Sequence, residues 1–172
     1  MGIIVCGLNG VGKSTIGKSL AERLEYSFID NEDLFFSKSE PGYPFMAPRS
    51  KSEVIQLLNE MIDKNSHFVF ASVKGDYGDK LISSLDYAVL VEAPRQIRMQ
   101  RVRERSFSKF GKRILYGGDL YEKEMSWFDL VESRPEDYVL QWIEHINCPV
   151  IRLDGTQSIE DNVDYLLSII MN

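Results

Sequence analysis

Residues 7–15 read Gly7-Leu8-Asn9-Gly10-Val11-Gly12-Lys13-Ser14-Thr15 and fit the pattern G-x-x-x-x-G-K-[ST] at every fixed position. The preceding run Ile3-Ile4-Val5-Cys6 is apolar and rich in β-branched residues, which is typical of a buried strand. After the loop, Ile16, Leu20 and Leu24 recur at helical spacing. The stretch therefore connects a strand to a helix, as a phosphate-binding loop requires, and is not a turn that binds nothing.

Each residue type in this loop has a physical reason. Glycine adopts backbone angles closed to other residues, so successive N–H groups can turn towards an anion, and the following helix adds its positive dipole end. We expect Lys13 to reach the β and γ phosphates, the Ser14 hydroxyl to ligate Mg²⁺ and Thr15 to contact the α phosphate. The loop predicts a site for ATP with Mg²⁺, and its nucleotide contacts are Gly7, Gly10, Val11, Gly12, Lys13, Ser14 and Thr15.

Length and composition restrict the class of protein. The chain has 172 residues and a net charge of −6, as expected for one globular domain over residues 1–172 that binds no nucleic acid. Its apolar runs are shorter than the ~18 residues that span a bilayer, and its start lacks a signal-peptide pattern. The chain has only two cysteines, so we expect a reducing, cytoplasmic environment. We also expect no membrane contact and a monomer or a homodimer.

One segment departs from the acidic composition. Residues 95–113 carry eight basic side chains and a single acid, a concentration typical of an anion clamp. Spacings of three and four place four arginines on one helical face: Arg95, Arg98, Arg101 and Arg105. Exposed arginine rows are often solvated faces, and we interpret Arg95, Arg98 and Arg103 in that way.

Four further strand-like runs alternate with helical patterns. They cover residues 26–29, 67–73, 87–91 and 149–153. Such alternation predicts an α/β fold in three layers, in which helices cover both faces of a five-stranded parallel sheet. Ligands of these folds bind in a crevice at the carboxyl ends of the strands, and the phosphate loop follows the first strand.

These motifs and four others resemble the small P-loop kinases of the nucleoside monophosphate kinase-like group, above all shikimate kinase and gluconate kinase. Phe28-Ile29-Asp30 is similar to the Phe-x-Asp that ends their second strand. The stretch Ala71-Ser72-Val73-Lys74-Gly75-Asp76-Tyr77 is similar to Ser-Ala-Leu-Lys-x-x-Tyr of gluconate kinases. Arg101-x-x-x-Arg105 looks like their lid arginine pair, and Leu153-Asp154-Gly155-Thr156 looks like the loop that borders the adenine.

The resemblance implies a strand order of 2-3-1-4-5 and a small lid. It also implies that Asp30 helps to hold Mg²⁺ or its water, that Arg101 and Arg105 act on the γ phosphate, and that Gly155 and Thr156 border the adenine.

Three departures concern the acceptor of the phosphate. Shikimate kinases place glycines after the third strand, where Lys74-Gly75-Asp76 stands here. They also have a second aspartate two residues after the first, whereas here that position is Glu32 and Asp33 follows it. Gly118-Asp119-Leu120-Tyr121 does not reproduce the Ser-Gln pair of gluconate kinases. The likeness therefore implies a kinase and leaves its acceptor open.

We expect the acceptor to bind in a segment of about residues 31–65 and a mobile lid of about residues 106–118 to close over it. A hydroxyl acceptor needs a carboxylate to orient it and take its proton, and the candidates in order are Asp33, Asp30 and Asp76. Each of them is also typical of a helix cap or a turn. The remaining candidates for acceptor contacts are Arg49, Lys74, Gly75, Tyr43, Phe45 and Tyr77.

Two functions fit these observations. The first is a kinase that moves the γ phosphate of ATP to a small metabolite or nucleotide, with Lys13, Asp33, Arg101 and Arg105 as catalytic residues. The alternative is a P-loop ATPase that works as a nucleotide-dependent switch without a metabolic acceptor. A lid and an acceptor segment favour the kinase, since a switch needs no second pocket.

Overall fold

Five parallel strands form one sheet in the order β2-β3-β1-β4-β5, which confirms the predicted fold class and strand order. The computed structural model describes residues 1–36 and 48–171. The strands are β1 (Gly2–Cys6), β2 (Ser27–Asp30), β3 (Phe68–Ala71), β4 (Leu85–Glu92) and β5 (Val150–Asp154). All five begin and end within two residues of their predicted bounds.

The strands alternate with helices in the described residues. The helices are α1 (Lys13–Leu24), α2 (Asn31–Phe35), α3 (Lys51–Lys64), α4 (Asp79–Ser83), α5 (Arg95–Phe110), a 3-10 helix (Gly111–Ile114), α6 (Tyr121–Glu132), α7 (Leu140–Ile143) and α8 (Ile159–Ile170). Ser50 caps α3 in a reciprocal arrangement, in which its hydroxyl accepts from the Glu53 N–H and the Glu53 carboxylate accepts from the Ser50 N–H.

Neighbouring residues of β1 show how the two faces of the sheet are covered. Every residue of β1 is buried, as expected for a central strand with helices on both sides. A side chain at Gly17 of α1 would touch Val5, and a side chain at Gly75 would meet both Ile4 and Trp142 of α7. Because successive residues of a strand point to opposite faces, α1 and α7 cover opposite sides of the sheet.

A second, smaller apolar cluster lies outside the sheet core. It joins α5, the 3-10 helix and α6 through Met99, Val102, Ile114, Leu120, Phe128 and Val131. The segment of residues 106–118 that the sequence analysis predicted as a lid begins inside α5, continues through the 3-10 helix and packs on this cluster by Ile114. The lid segment is therefore part of a helical unit, and its motion stays a prediction.

Candidate active site

The glycine loop between β1 and α1 has the backbone that anion binding requires. Gly7, Gly10 and Gly12 have φ values of 149°, 85° and 100°, in a region that side-chain-bearing residues rarely adopt. Helix α1 begins directly after Gly12, so its first N–H groups and its positive dipole end face the loop. The Gly7 N–H donates to the Val73 carbonyl at 3.1 Å, which ties the loop to the segment after β3.

An open cavity of about 930 Å³ lies beside this loop, and we call it the main cavity. Lys13 and Ser14 contribute to its wall, together with residues of α2, the segment after β3, the end of α5, and α6. The lining residues that the sequence analysis named as site candidates are Gly10, Lys13, Ser14, Asp30, Lys74, Asp76, Tyr77 and Arg105. The carboxyl ends of β1, β2 and β3 are therefore followed by segments that meet at this cavity, as the parallel topology requires.

Four charged side chains surround the Lys13 ammonium in the cavity. The pKa of Lys13 is lowered from 10.5 to about 8, mainly by burial and also by the positive charges of Arg105 and Arg134, while the negative charges of Asp30 and Glu32 raise it. A lysine with this pKa is kept charged by a bound polyanion, because the anion replaces the missing solvation. Binding of a triphosphate would therefore raise the pKa of Lys13.

Triphosphate affinity is expected to fall above about pH 8. Binding favours the charged form of Lys13, and the free protein holds that proton only below its pKa of about 8. The dissociation constant for ATP should thus be flat from about pH 7 to about pH 8 and then rise by up to about tenfold per pH unit. Fluorescent-nucleotide titrations across this range measure it. A Lys13→Met variant should show weak affinity without this rise, and a flat profile in the unmodified protein would contradict the assignment.

The structure brings Glu32, not Asp33, to the cavity. Asp30 is the N-cap of α2, where its Oδ1 accepts from the Glu32 N–H at 2.9 Å. Asp30 and Glu32 both line the main cavity, whereas Asp33 is exposed and is absent from the described lining. The short helix turns residues 32 and 33 to different sides, because neighbouring helical positions differ by about 100°. Glu32 also lies 3.9 Å from the Lys109 ammonium of α5.

The two predicted lid arginines separate in the structure. Arg105 lines the main cavity, whereas Arg101 is absent from its described lining. Arg101 instead donates to the Gly155 carbonyl at 2.9 Å and to the Gly10 carbonyl at 3.4 Å. It therefore joins the glycine loop to the loop after β5. The predicted action of both arginines on the γ phosphate stays a prediction, and in this geometry Arg105 is the one of the two that lines the cavity.

The loop after β5 lies against the glycine loop. A side chain at Gly155 would stand 2.5 Å from the Val11 carbonyl oxygen, so glycine permits this close approach. Thr156 is exposed and its N–H donates to Asp154 Oδ1 at 2.8 Å. Thr15 is exposed at the start of α1 and Val11 is buried. These nucleotide contacts stay predictions, and the structure adds that Gly155 and Val11 are neighbours.

The acceptor candidates divide into two groups. Lys74 and Asp76 line the cavity, and Asp76 pairs with Lys74 at 3.5 Å and with Lys51 at 2.9 Å. Arg49 donates to the Leu34 carbonyl at 2.8 Å, so it caps the end of α2 instead of facing the cavity. Gly75 is buried under Trp142. Arg49 and Gly75 are absent from the described lining of the cavity, and their acceptor contacts stay predictions. Tyr43 and Phe45 lie outside the described residues.

Sequence reasoning missed Arg134. It donates to the Asn9 side chain of the glycine loop, and its guanidinium lies 5.9 Å from the centre of the Tyr138 ring. Lys74 stacks on the same ring at 4.3 Å. Arg134 lines the cavity, and burial lowers its pKa. Its only sequence signal is its place before Pro135, between two helices and far from the phosphate loop.

Aromatic side chains from several elements form part of the wall of the main cavity. Phe35 and Phe36 lie at the end of α2, Tyr77 lies in the segment after β3, and Trp127 belongs to α6. Tyr77 meets the Phe35 and Phe70 rings edge to face, at 6.5 and 5.7 Å between ring centres. Burial raises the pKa of Tyr77. The described lining of the main cavity thus combines these rings with the charges of Lys74 and Arg134.

Substitution of Gly10 by alanine is expected to destabilise the fold more than the same change at Gly117. Their φ values are similar, 85° and 83°, so both alanines pay the same backbone strain. A Cβ at Gly10 would also stand 2.3 Å from the Arg98 carbonyl oxygen, whereas Gly117 has open space. Urea unfolding of the two variants should therefore differ by about 2 kcal/mol or more. Equal stabilities would show that the loop and α5 separate freely.

The residues present fit a magnesium triphosphate. The described residues contain no cluster of three or more His, Cys, Asp or Glu side chains able to hold a metal ion. Ser14 and Asp30 line the same cavity, and Mg²⁺ at such sites takes most of its ligands from phosphates and water. The three left-handed glycines and the start of α1 supply the donors for the phosphates.

Comparison with known proteins agrees with this geometry. The chain matches the model of the family described as AAA domain over residues 3–124 and belongs to that family of P-loop proteins. It is 28% identical over 96% of its length to the uncharacterized protein YqaC of Bacillus subtilis, of which it covers 94%. It is 32% identical to a shikimate kinase of Alkaliphilus oremlandii, over 54% of this chain and 50% of that one.

Solved structures show the same fold. A gluconokinase from Sinorhizobium meliloti aligns with a TM-score of 0.53 and 18% identity, over 97% of this chain and 89% of that one. The predicted likeness to the small P-loop kinases is confirmed by these relatives. Within the described part of the chain, every helix is too short or too polar to cross a bilayer.

Proposed function

We propose that the protein is a kinase that transfers the γ phosphate of ATP to a hydroxyl of a small metabolite. One observation carries this proposal. The main cavity runs without interruption from Lys13 and Ser14 to Glu32, Lys74 and Tyr77, so a second molecule has room next to the phosphates. At about 930 Å³ the cavity is at the upper end of the range for small-molecule sites.

The charged residues have separate roles in this proposal. Lys13 and Arg105 neutralise the phosphoryl group in transit, with Mg²⁺ on Ser14 and Asp30 supplying the remaining positive charge when it is bound. Glu32 replaces Asp33 as the carboxylate that orients the acceptor hydroxyl and accepts its proton. Lys74 and Arg134 favour an acceptor that carries a negative charge, since both cations face the cavity over one ring.

Neutral polar side chains in the cavity wall support a hydroxylated acceptor. Asn31, Ser72 and Tyr77 all line the main cavity, and the side chains of Asn31 and Ser72 lie within hydrogen-bonding reach of the Tyr77 hydroxyl. A few polar groups of this kind among aromatic rings are typical of sites for small ligands.

The segment of residues 106–118 acts as the lid in this proposal. Arg105 and Lys109 lie on the cavity side of the end of α5, and Lys109 reaches Glu32 of α2 across the entrance. Closure of this segment would exclude water from the phosphates. The rest of the single domain, with an acceptor segment of about residues 31–65, would stay in place.

A nucleotide acceptor and a switch without acceptor are the competing functions. Purified protein with Mg²⁺ and ATP should be assayed for ADP formation with sugars, sugar acids, nucleosides and nucleoside monophosphates. We expect one hydroxylated anion to stimulate ADP formation strongly. Stimulation only by nucleoside monophosphates would identify a nucleotide kinase, and slow hydrolysis unchanged by every compound would identify a switch.

A further inference from the structure

Arg98 is buried in a helix where the sequence suggested a solvated face. Its side chain is 4% exposed, although Arg95 and Arg103 of the same helix are more than half exposed. A buried guanidinium is stable only if its donors are satisfied and its charge is paired. Arg98 meets both conditions, because its Nε donates to the Ala93 carbonyl at 3.0 Å and its Nη2 donates to both oxygens of Glu136, at 2.6 and 2.8 Å.

The backbone of Arg98 lies against the glycine loop. A Cβ at Gly10 would stand 2.3 Å from the Arg98 carbonyl oxygen and 2.9 Å from its Cα, so the two backbones are in direct contact. Arg98 therefore touches the phosphate site through its backbone and the segment after α6 through its side chain. No other described arginine of α5 forms a bidentate pair with that segment.

The partner of Arg98 lies two residues from Arg134. The segment from residue 133 to residue 139 has turns but neither α-helix nor strand, so its position depends on tertiary contacts. Arg134 lies in this segment, donates a hydrogen bond to the Asn9 side chain of the glycine loop and lines the main cavity. Glu136 is 60% exposed and is absent from the described lining of the main cavity. With Arg98 it lines a second cavity of about 650 Å³ on another side of the glycine loop.

We propose that Arg98 is a positioning residue, which holds Arg134 in the active site through its bidentate pair with Glu136. Arg98 and Glu136 are both absent from the described lining of the main cavity. The pair fixes the segment of residues 133–139 relative to α5, and Arg134 is thereby presented to Asn9 and the cavity. The part of this inference that concerns turnover rests on the proposed kinase function, whereas the part that concerns triphosphate binding does not.

A double-mutant cycle tests the proposal. The variants are Glu136→Ala, Arg134→Ala and the double variant, and the readouts are ATP affinity, kcat and KM for the acceptor found, and thermal unfolding. If the pair acts through Arg134, Glu136→Ala should lower kcat/KM at least about tenfold alone and less than about twofold in the Arg134→Ala background, because residues that act as a unit are not additive. Arg98→Lys, which keeps the charge and loses the Nε donor to the Ala93 carbonyl, should reproduce part of the loss.

The control is Arg103→Gln, which removes an exposed cation of the same helix that lies 3.6 Å from Glu132. This variant should keep the ATP affinity and kcat/KM within about twofold of the values of the unmodified protein. Independent, multiplicative losses in the cycle, or full activity of a folded Glu136→Ala variant, would overturn the proposal. If no acceptor exists, the kinase assignment fails, and the same cycle read by ATP affinity still decides whether Glu136 acts through Arg134.

Discussion

Replacement of Lys13 by methionine is expected to lower ATP turnover by about a thousandfold or more. Lys13 is the cation that we expect to bind the β and γ phosphates, and removal of one preorganised charge in such a site costs about 10²–10³ in rate, with the loss of affinity in addition. ADP formation at saturating ATP and fluorescent-nucleotide binding measure the two losses separately.

The same variant should remain folded. Burial lowers the pKa of Lys13 to about 8, so the charged form is less favourable in the folded protein than in the unfolded chain at neutral pH. An uncharged side chain of similar length removes that cost, and the thermal midpoint should stay or rise. Lys18→Met is the matched control, since Lys18 is an exposed lysine of the same helix. A Lys13→Met variant that keeps its turnover would refute the phosphate-loop assignment.

Glu32→Gln is expected to lower the rate with a hydroxyl acceptor by about 10²–10⁴-fold, and Asp33→Asn by less than about threefold. Both changes are isosteric and lie on the same short helix, but only Glu32 lines the main cavity. Neither change alters the cap of α2, because Asp30 accepts from the backbone N–H of residue 32.

Steady-state kinetics with the identified acceptor distinguish the outcomes for these two residues. A drop in kcat with nearly constant KM for ATP would show that Glu32 acts in the chemical step. Loss of the 3.9 Å contact between Lys109 and Glu32 contributes little, because partly exposed pairs of this kind are worth about 1 kcal/mol or less. An unaffected Glu32→Gln variant would mean that the acceptor is already a phosphate and needs no base, as in a nucleotide kinase. A larger loss in Asp33→Asn would restore the original choice of carboxylate.

The predicted site and the observed one differ in which side chains of α2 and α5 line the cavity. Glu32 and Asp33 are neighbours in the sequence, and their separation depends on where α2 starts. Asp30 sets that start by capping the helix, and a cap is hard to assign when Asp30, Asn31 and Asp33 are all good capping residues. Arg101 and Arg105 were paired by helical spacing, yet Arg101 meets the Gly155 carbonyl because the loop after β5 comes close to it.

Long-range contacts explain the residues that were misread or missed. Arg98 has the pattern of an exposed arginine, and its burial depends on Glu136, which lies 38 residues away. Arg134 lies 125 residues from Asn9 in the sequence, and no sequence motif predicts the contact between their side chains. Contacts over such distances are decided by how α5, α6 and the following turns pack on the sheet.

By itself, the sequence determined the phosphate loop and the parallel sheet, which follow from local rules: glycine at left-handed positions, buried β-branched runs and helical spacing. The strand order was implied by the resemblance of the sequence motifs to those of the small P-loop kinases. The tertiary structure alone decided that Glu32 faces the cavity, that Arg101 ties two loops together and that Arg134 joins the site. A side chain's role depends on what other parts of the chain bring beside it, and that information appears only when the elements pack.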